Sequence, residues 1–97
     1  PPLPAPPTVT TPVNYCQNAI ASALTATALP GATLNWYGTN ATGGTPSATA
    51  PTPSTAIVGS TTYYVSQTLA GCESTRAAIV VNVNPSLSPT ITVEQVL

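Results

Sequence analysis

Histidine, lysine, aspartate, phenylalanine and methionine do not occur anywhere in this chain of 97 residues. Its charged side chains are Glu73, Arg76 and Glu94. General acid–base catalysis, histidine-activated nucleophiles and ordinary metal cages are built from the groups that are missing, so no catalytic residue, no metal site and no cofactor is expected. A nucleic-acid partner requires a basic footprint, which one cation cannot supply. No apolar run approaches the roughly 20 residues of a membrane-spanning helix, so membrane insertion is not expected. No signal-peptide pattern opens the sequence, which therefore reads as a mature or excised segment.

What the chain does have is hydroxyls, amides and proline. Thr and Ser dominate its polar positions, so solubility rests on them instead of on charge. A chain this short makes one domain with one modest core, burying about 60–65% of its unfolded surface. Two cysteines in such a composition suggest an oxidising, extracellular setting, with a Cys16–Cys72 disulfide expected. That bond would close a loop of 56 residues (16 to 72) and be worth about 4 kcal/mol in the chain-entropy model. Two buried free thiols are the alternative. A redox pair is disfavoured, because there is no Cys-x-x-Cys and no neighbouring cation or imidazole.

Short runs rich in β-branched and aromatic residues, divided by Gly, Pro and Asn, predict an all-β sandwich and no helix. Thr8–Val13 reads as an edge strand. In Ser22–Ala28, Leu24 and Ala26 face inward. Pro30-Gly31 turns the chain into Thr33–Tyr37, which places Leu34 and Trp36 inside and Asn35 and Tyr37 outside. Residues 38–55 read as loop, with a tight turn at Gly43-Gly44 and a short edge strand at Ser47–Ala50. Ala56–Val58 is expected as another short strand. In "TTYYVSQTLAGC" (61–72), Tyr63, Val65 and Gln67 share one face, Tyr64, Ser66 and Thr68 share the other, and Gly71 ends the strand. Residues 75–84 put Ala77, Ile79, Val81 and Val83 inward. The predicted core is therefore Leu24, Leu34, Trp36, Tyr63, Val65, Ile79 and Val81.

Three segments follow from composition: a Pro-rich linker or lead strand (1–12), the sandwich (13–84), and a tail (85–97). The tail echoes the start, since "PTVT" at 7–10 returns as "PTIT" at 89–92. A repeat reading makes the tail the start of a following unit. Thr90, Ile91, Thr92 and Val93 also alternate as a strand that a neighbouring subunit's sheet edge would accept. A tag-like end is the remaining alternative.

Taken together, "YCQN" (15–18), "LNWYGTNATGG" (34–44), "TTYYVSQTLAGCES" (61–74) and "AAIVVNVN" (77–84) resemble the immunoglobulin-like modules of large secreted Bacteroidota surface proteins, repeats found near type IX secretion sorting domains. The resemblance covers residues 13–84. It implies an immunoglobulin-like antiparallel β-sandwich of about seven strands, repeated in tandem as a spacer in adhesins, gliding proteins and appendages of secreted hydrolases. No catalytic residues come with it. A Cys16–Cys72 bond would clasp loops at one end of such a sandwich and would not cross the core beside Trp36, as the antibody disulfide does. The O-glycan acceptor context of these bacteria needs an Asp, which this chain lacks.

The aromatic pairs Trp36-Tyr37 and Tyr63-Tyr64 have two readings. They form a sugar-stacking platform, or Trp36 and Tyr63 are core, with Tyr63 as a corner tyrosine tying down a loop. The second is favoured, which leaves Tyr37 and Tyr64 as the surface contacts. "NAT" (40–42) fits the N-glycan sequon, usually by chance in bacteria. The 45–55 loop either bears O-linked sugars or is simply solvated.

The functional expectation is an extracellular structural repeat of a cell-surface adhesin, stalk or filament. Its partners are neighbouring copies of the same module, in tandem or in a fibre. The alternative is a carbohydrate- or protein-binding module on a secreted hydrolase or adhesin tip, with glycans as partners.

Overall fold

A computed structural model describes residues 3–86 and forms strands without helices among them. In chain order the strands are β1 (Thr8–Val9), β2 (Val13–Cys16), β3 (Ala26–Thr27), β4 (Thr33–Trp36), β5 (Gly59–Leu69), β6 (Cys72–Glu73) and β7 (Ala77–Asn84). The larger sheet has the order β2-β7-β5-β4, with β6 also pairing β5, and β1 and β3 form a small second sheet. This is the expected all-β, seven-strand immunoglobulin-like sandwich. Its two long strands, β5 and β7, are the two runs richest in β-branched and aromatic residues, the side chains that fit a pleated, half-buried surface.

All pairings are antiparallel except β2 with β7, which run parallel with Val13 opposite Val81 and Cys16 opposite Asn84. The single edge strand expected over Thr8–Val13 is divided between both sheets. Its first half pairs with β3 and its second with β7, and the chain changes sheet at the cis Thr11-Pro12 peptide. Proline has no N–H to offer a ladder, so the division falls where pairing would be lost in any case. Thr11 bridges the step by accepting the Val80 N–H through its hydroxyl at 2.9 Å.

Elsewhere the short strands contract. Ser22–Ala28 keeps only Ala26–Thr27, and Ser47–Ala50 makes a lone bridge between Ser47 and Trp36. Ala56–Val58 forms no strand. The backbone around it is committed to the β2–β3 connection instead, where Asn18 N–H donates to Thr55 C=O at 2.8 Å and Gln17 Nε2 to Ala56 C=O at 3.0 Å. Gly43 and Gly44 turn the long loop with φ of 69° and 83°. A Cβ on Gly44 would lie 2.7 Å from Asn40 Nδ2 and force that side chain to shift, and the positive φ of Gly44 strains any residue with a side chain.

The inward alternation of β5 and β7 builds the core. Leu24, Trp36, Val65, Ile79 and Val81 are its buried cluster, with Leu34 and Tyr63 packed against it half-buried. Val9, Val13, Tyr15 and Ala77 add to the same cluster. The tyrosine that ties down a loop is Tyr15, whose hydroxyl accepts the Ser22 N–H at 3.2 Å; the corner role expected of Tyr63 falls to it.

The β5–β6 hairpin turns on Ala70 and Gly71, with φ of 53° and 81°. Two consecutive left-handed residues are what a two-residue hairpin matched to strand twist requires. Ala70 occupies that region at a cost that glycine avoids. Ala70→Gly is therefore expected to raise stability by about 0.5–1 kcal/mol, read as a higher urea midpoint with an unchanged slope.

The expected Cys16–Cys72 disulfide is not formed, and both thiols are free. Strand register gives the reason. Cys16 is level with Asn84, one step beyond the Val83–Gly59 pair, whereas Cys72 sits opposite Leu69. The ten steps from Gly59 to Leu69 span about 33 Å at ~3.3 Å per residue. A disulfide requires Cα atoms within about 7 Å, so this bond is excluded inside one domain. The cysteines mark opposite poles of the sheet.

Candidate functional site

Glu73 and Arg76, the charged residues among those described, meet on the outer face of the larger sheet. A regular strand would point residues three apart to opposite faces. Here Glu73 pairs with Thr68 and Ala77 with Val65, so three residues (74–76) oppose two (66–67). The extra residue is a β-bulge, and it restores both charges to one side. Ser74 N–H still donates to Gln67 C=O at 2.8 Å, and Ser74 Oγ accepts the Gln67 N–H at 3.0 Å, so the bulged backbone is satisfied.

On that face Glu73 Oε2 accepts the hydroxyls of both Tyr37 and Ser66. Asn35 Nδ2 donates to Ser66 Oγ at 3.2 Å and to Thr68 Oγ1 at 2.9 Å. The Arg76 guanidinium lies over the Tyr37 ring, 3.4 Å from its centroid, and donates to the Asn40 C=O at 2.7 Å. A cation over an aromatic face gains about 0.5–2 kcal/mol, depending on desolvation.

Tyr37 was expected as a surface contact and is instead buried, at 6% exposure. Alternation does direct it away from Trp36 and the core. The bulge then brings Arg76 down over it, while Tyr37 N–H and Gly38 C=O extend the β4 ladder onto Tyr64. Tyr64, the other expected surface contact, is half-buried. It borders a shallow outer cleft with Glu73, Arg76 and the Ala41–Gly43 loop. The Thr90–Val93 segment lies outside the described residues.

The chemistry of the cluster is that of a lock. The hydrogen bond to Glu73 raises the Tyr37 pKa above 10.0, helped by burial and by the Glu73 charge. Hydrogen bonds from Ser66 and then Tyr37 lower that of Glu73 below 4.5, with Arg76 adding to the effect and burial opposing it. Both shifts run away from neutrality, opposite to the tuning a proton-transfer catalyst needs. No group of three potential metal ligands occurs among the described residues.

These shifts fix a pH profile. Because the folded-state pKa of Glu73 is depressed, its contribution to stability is present above pH 4.5 and is lost as pH falls through the folded value. Because that of Tyr37 is raised, its contribution is present below pH 10.0 and is lost as pH rises through the folded value. Denaturation midpoints followed by Trp36 fluorescence should be flat between roughly pH 5 and 8, where no His titrates. Glu73→Gln should blunt the acid fall.

The sequence offered one signal for this cluster, the concentration of its rare charges in "CESTR". Odd spacing concealed that the two share a face.

Comparison with known proteins places residues 4–85 under one family model, described as an Ig-like domain, CHU_C associated. No curated protein matches the chain.

Proposed function

Because the chain belongs to the family of CHU_C-associated Ig-like domains, a Bacteroidota-associated family, we propose that it is a spacer repeat of an extracellular adhesin, stalk or filament, linking modules end to end at the cell surface. The observation that carries this reading is the polarity of the chain. Its first described residues lie at the Cys72 pole, where Gln67 Nε2 donates to the Ala5 C=O at 2.7 Å. Its last lie at the Cys16 pole, where Ser86 Oγ donates to the Gln17 C=O at 2.7 Å. A module entered at one pole and left at the other adds its full length to an array. One with both ends at the same pole would hang from it as a pendant.

The fold also suits repetition, since each unit has its own core and each junction involves only neighbours. Electron microscopy of the native protein tests the proposal. Thin threads of regularly spaced beads support it, and compact particles overturn it. The binding-module alternative is weakened by the burial of Tyr37, which leaves Tyr64 without an aromatic partner on the outer face. Glycan-array binding that disappeared in Tyr64→Ala would reinstate it.

A further inference from the structure

We propose that Cys16 of one module and Cys72 of the next form a disulfide across the junction, so that the two thiols staple consecutive copies together instead of one domain to itself. The inference deepens the end-to-end reading and rests on it.

Two independent observations lead there. The first is placement: Cys16 is exposed at the pole where the chain leaves, and Cys72 is half-exposed at the pole where it enters. Cys16 pairs with Asn84, and Cys72 closes the β5–β6 hairpin opposite Leu69, which lies two residues beyond Gln67, the residue that holds Ala5. The second is spacing. "PTVT" returns as "PTIT" 82 residues on (7 to 89), so the counterpart of Ala5 in a following unit is position 87, three residues after Asn84. Three residues of extended chain reach about 10 Å. The connection thus brings the entry pole of the second copy, with its Cys72, up to the strand end that carries Cys16. No other residue has to move between poles.

The chemistry needs a disulfide oxidant, such as oxidised glutathione. One cysteine thiolate attacks the oxidant, releasing one glutathione thiolate and leaving a mixed disulfide. The second cysteine displaces the other glutathione. Two electrons pass to the oxidant, and the two thiol protons end on the two glutathiones released.

The test has two arms. In the first, the 97-residue chain is concentrated with oxidised glutathione. A ladder of reducible multimers is expected, with Cys16–Cys72 peptides in the mass map. Cys16→Ser and Cys72→Ser should each abolish the ladder, an equal mixture of the two variants should stop at the dimer, and both positions are exposed enough to leave the fold intact. In the second, two copies joined at the 82-residue period should hold one linked pair, first Cys16 to second Cys72, and two free thiols. Four free thiols in the joined protein, or only like-with-like links in the ladder, would overturn the proposal. X-ray scattering of the joined protein under reducing conditions separates the two ideas. An extended particle there, together with four free thiols after oxidation, sinks the staple and leaves the spacer reading standing, whereas a folded-back particle sinks the spacer reading itself.

Discussion

Trp36→Ala is expected to cost about 3–5 kcal/mol, the range for removing a large buried aromatic from a packed core. Domains of this size are held by only about 5–15 kcal/mol, so the variant should be close to unfolding at 37 °C. The indole lies at 4% exposure within the cluster of Leu24, Val65, Ile79 and Val81, and no second aromatic is fully buried on that face. With so few large side chains, no neighbour can collapse into the space. Urea denaturation followed by far-ultraviolet circular dichroism measures the loss. Trp36→Phe, which refills most of the volume, should retain the greater part of the stability. A loss below about 1 kcal/mol for the alanine variant would mean that the core is not organised around this residue.

The second large effect is expected at Gln67, a polar side chain at 1% exposure on the inner face of β5. Its amide accepts the Leu29 N–H at 2.8 Å and donates to the Ala5 C=O at 2.7 Å. One side chain thereby fastens the entering segment and the β3–β4 connection to the central strand. Gln67→Leu keeps the volume but strands a backbone donor and an acceptor, each costing about 1–3 kcal/mol when left unpaired. The combined loss should be about 2–5 kcal/mol, with faster amide exchange at Thr8 and Val9. Gln67→Glu offers a sharper measurement. Its carboxylate still accepts from Leu29 but has no proton for Ala5 and places a charge in the core. That variant should be least stable near neutral pH and partly rescued by acid, where the protonated carboxyl again donates. An unchanged pH profile would show that the clamp carries no weight.

The core was legible in the sequence because alternation with period two is a local property. Val65, Ile79 and Val81 could be set inside by counting along their own strands. The poles were not legible. Whether Cys16 and Cys72 share an end depends on β2 running parallel to β7, a pairing between segments more than 60 residues apart. Tyr37 shows the same limit on a smaller scale. Its direction followed from β4, but its burial depended on one additional residue in a different strand. The Pro-rich lead read equally as a linker or a lead strand, and its place shows only in the fold, where Pro7 is buried and β1 pairs within the domain. Only the switch at Pro12 carried a readable reason, the missing N–H.

The parallel pairing of β2 with β7 has a mechanical consequence. A tension applied through the two chain ends draws β2 toward the Cys72 pole and β7 toward the Cys16 pole, so the adjacent strands are pulled past each other along their common axis. The hydrogen bonds joining them then lie across the pull and bear it together, instead of opening one at a time as in a hairpin peeled from its tip. Resistance to stretching therefore resides in a ladder four residues long, Val13–Cys16 against Val81–Asn84, and does not depend on a covalent bond inside the domain.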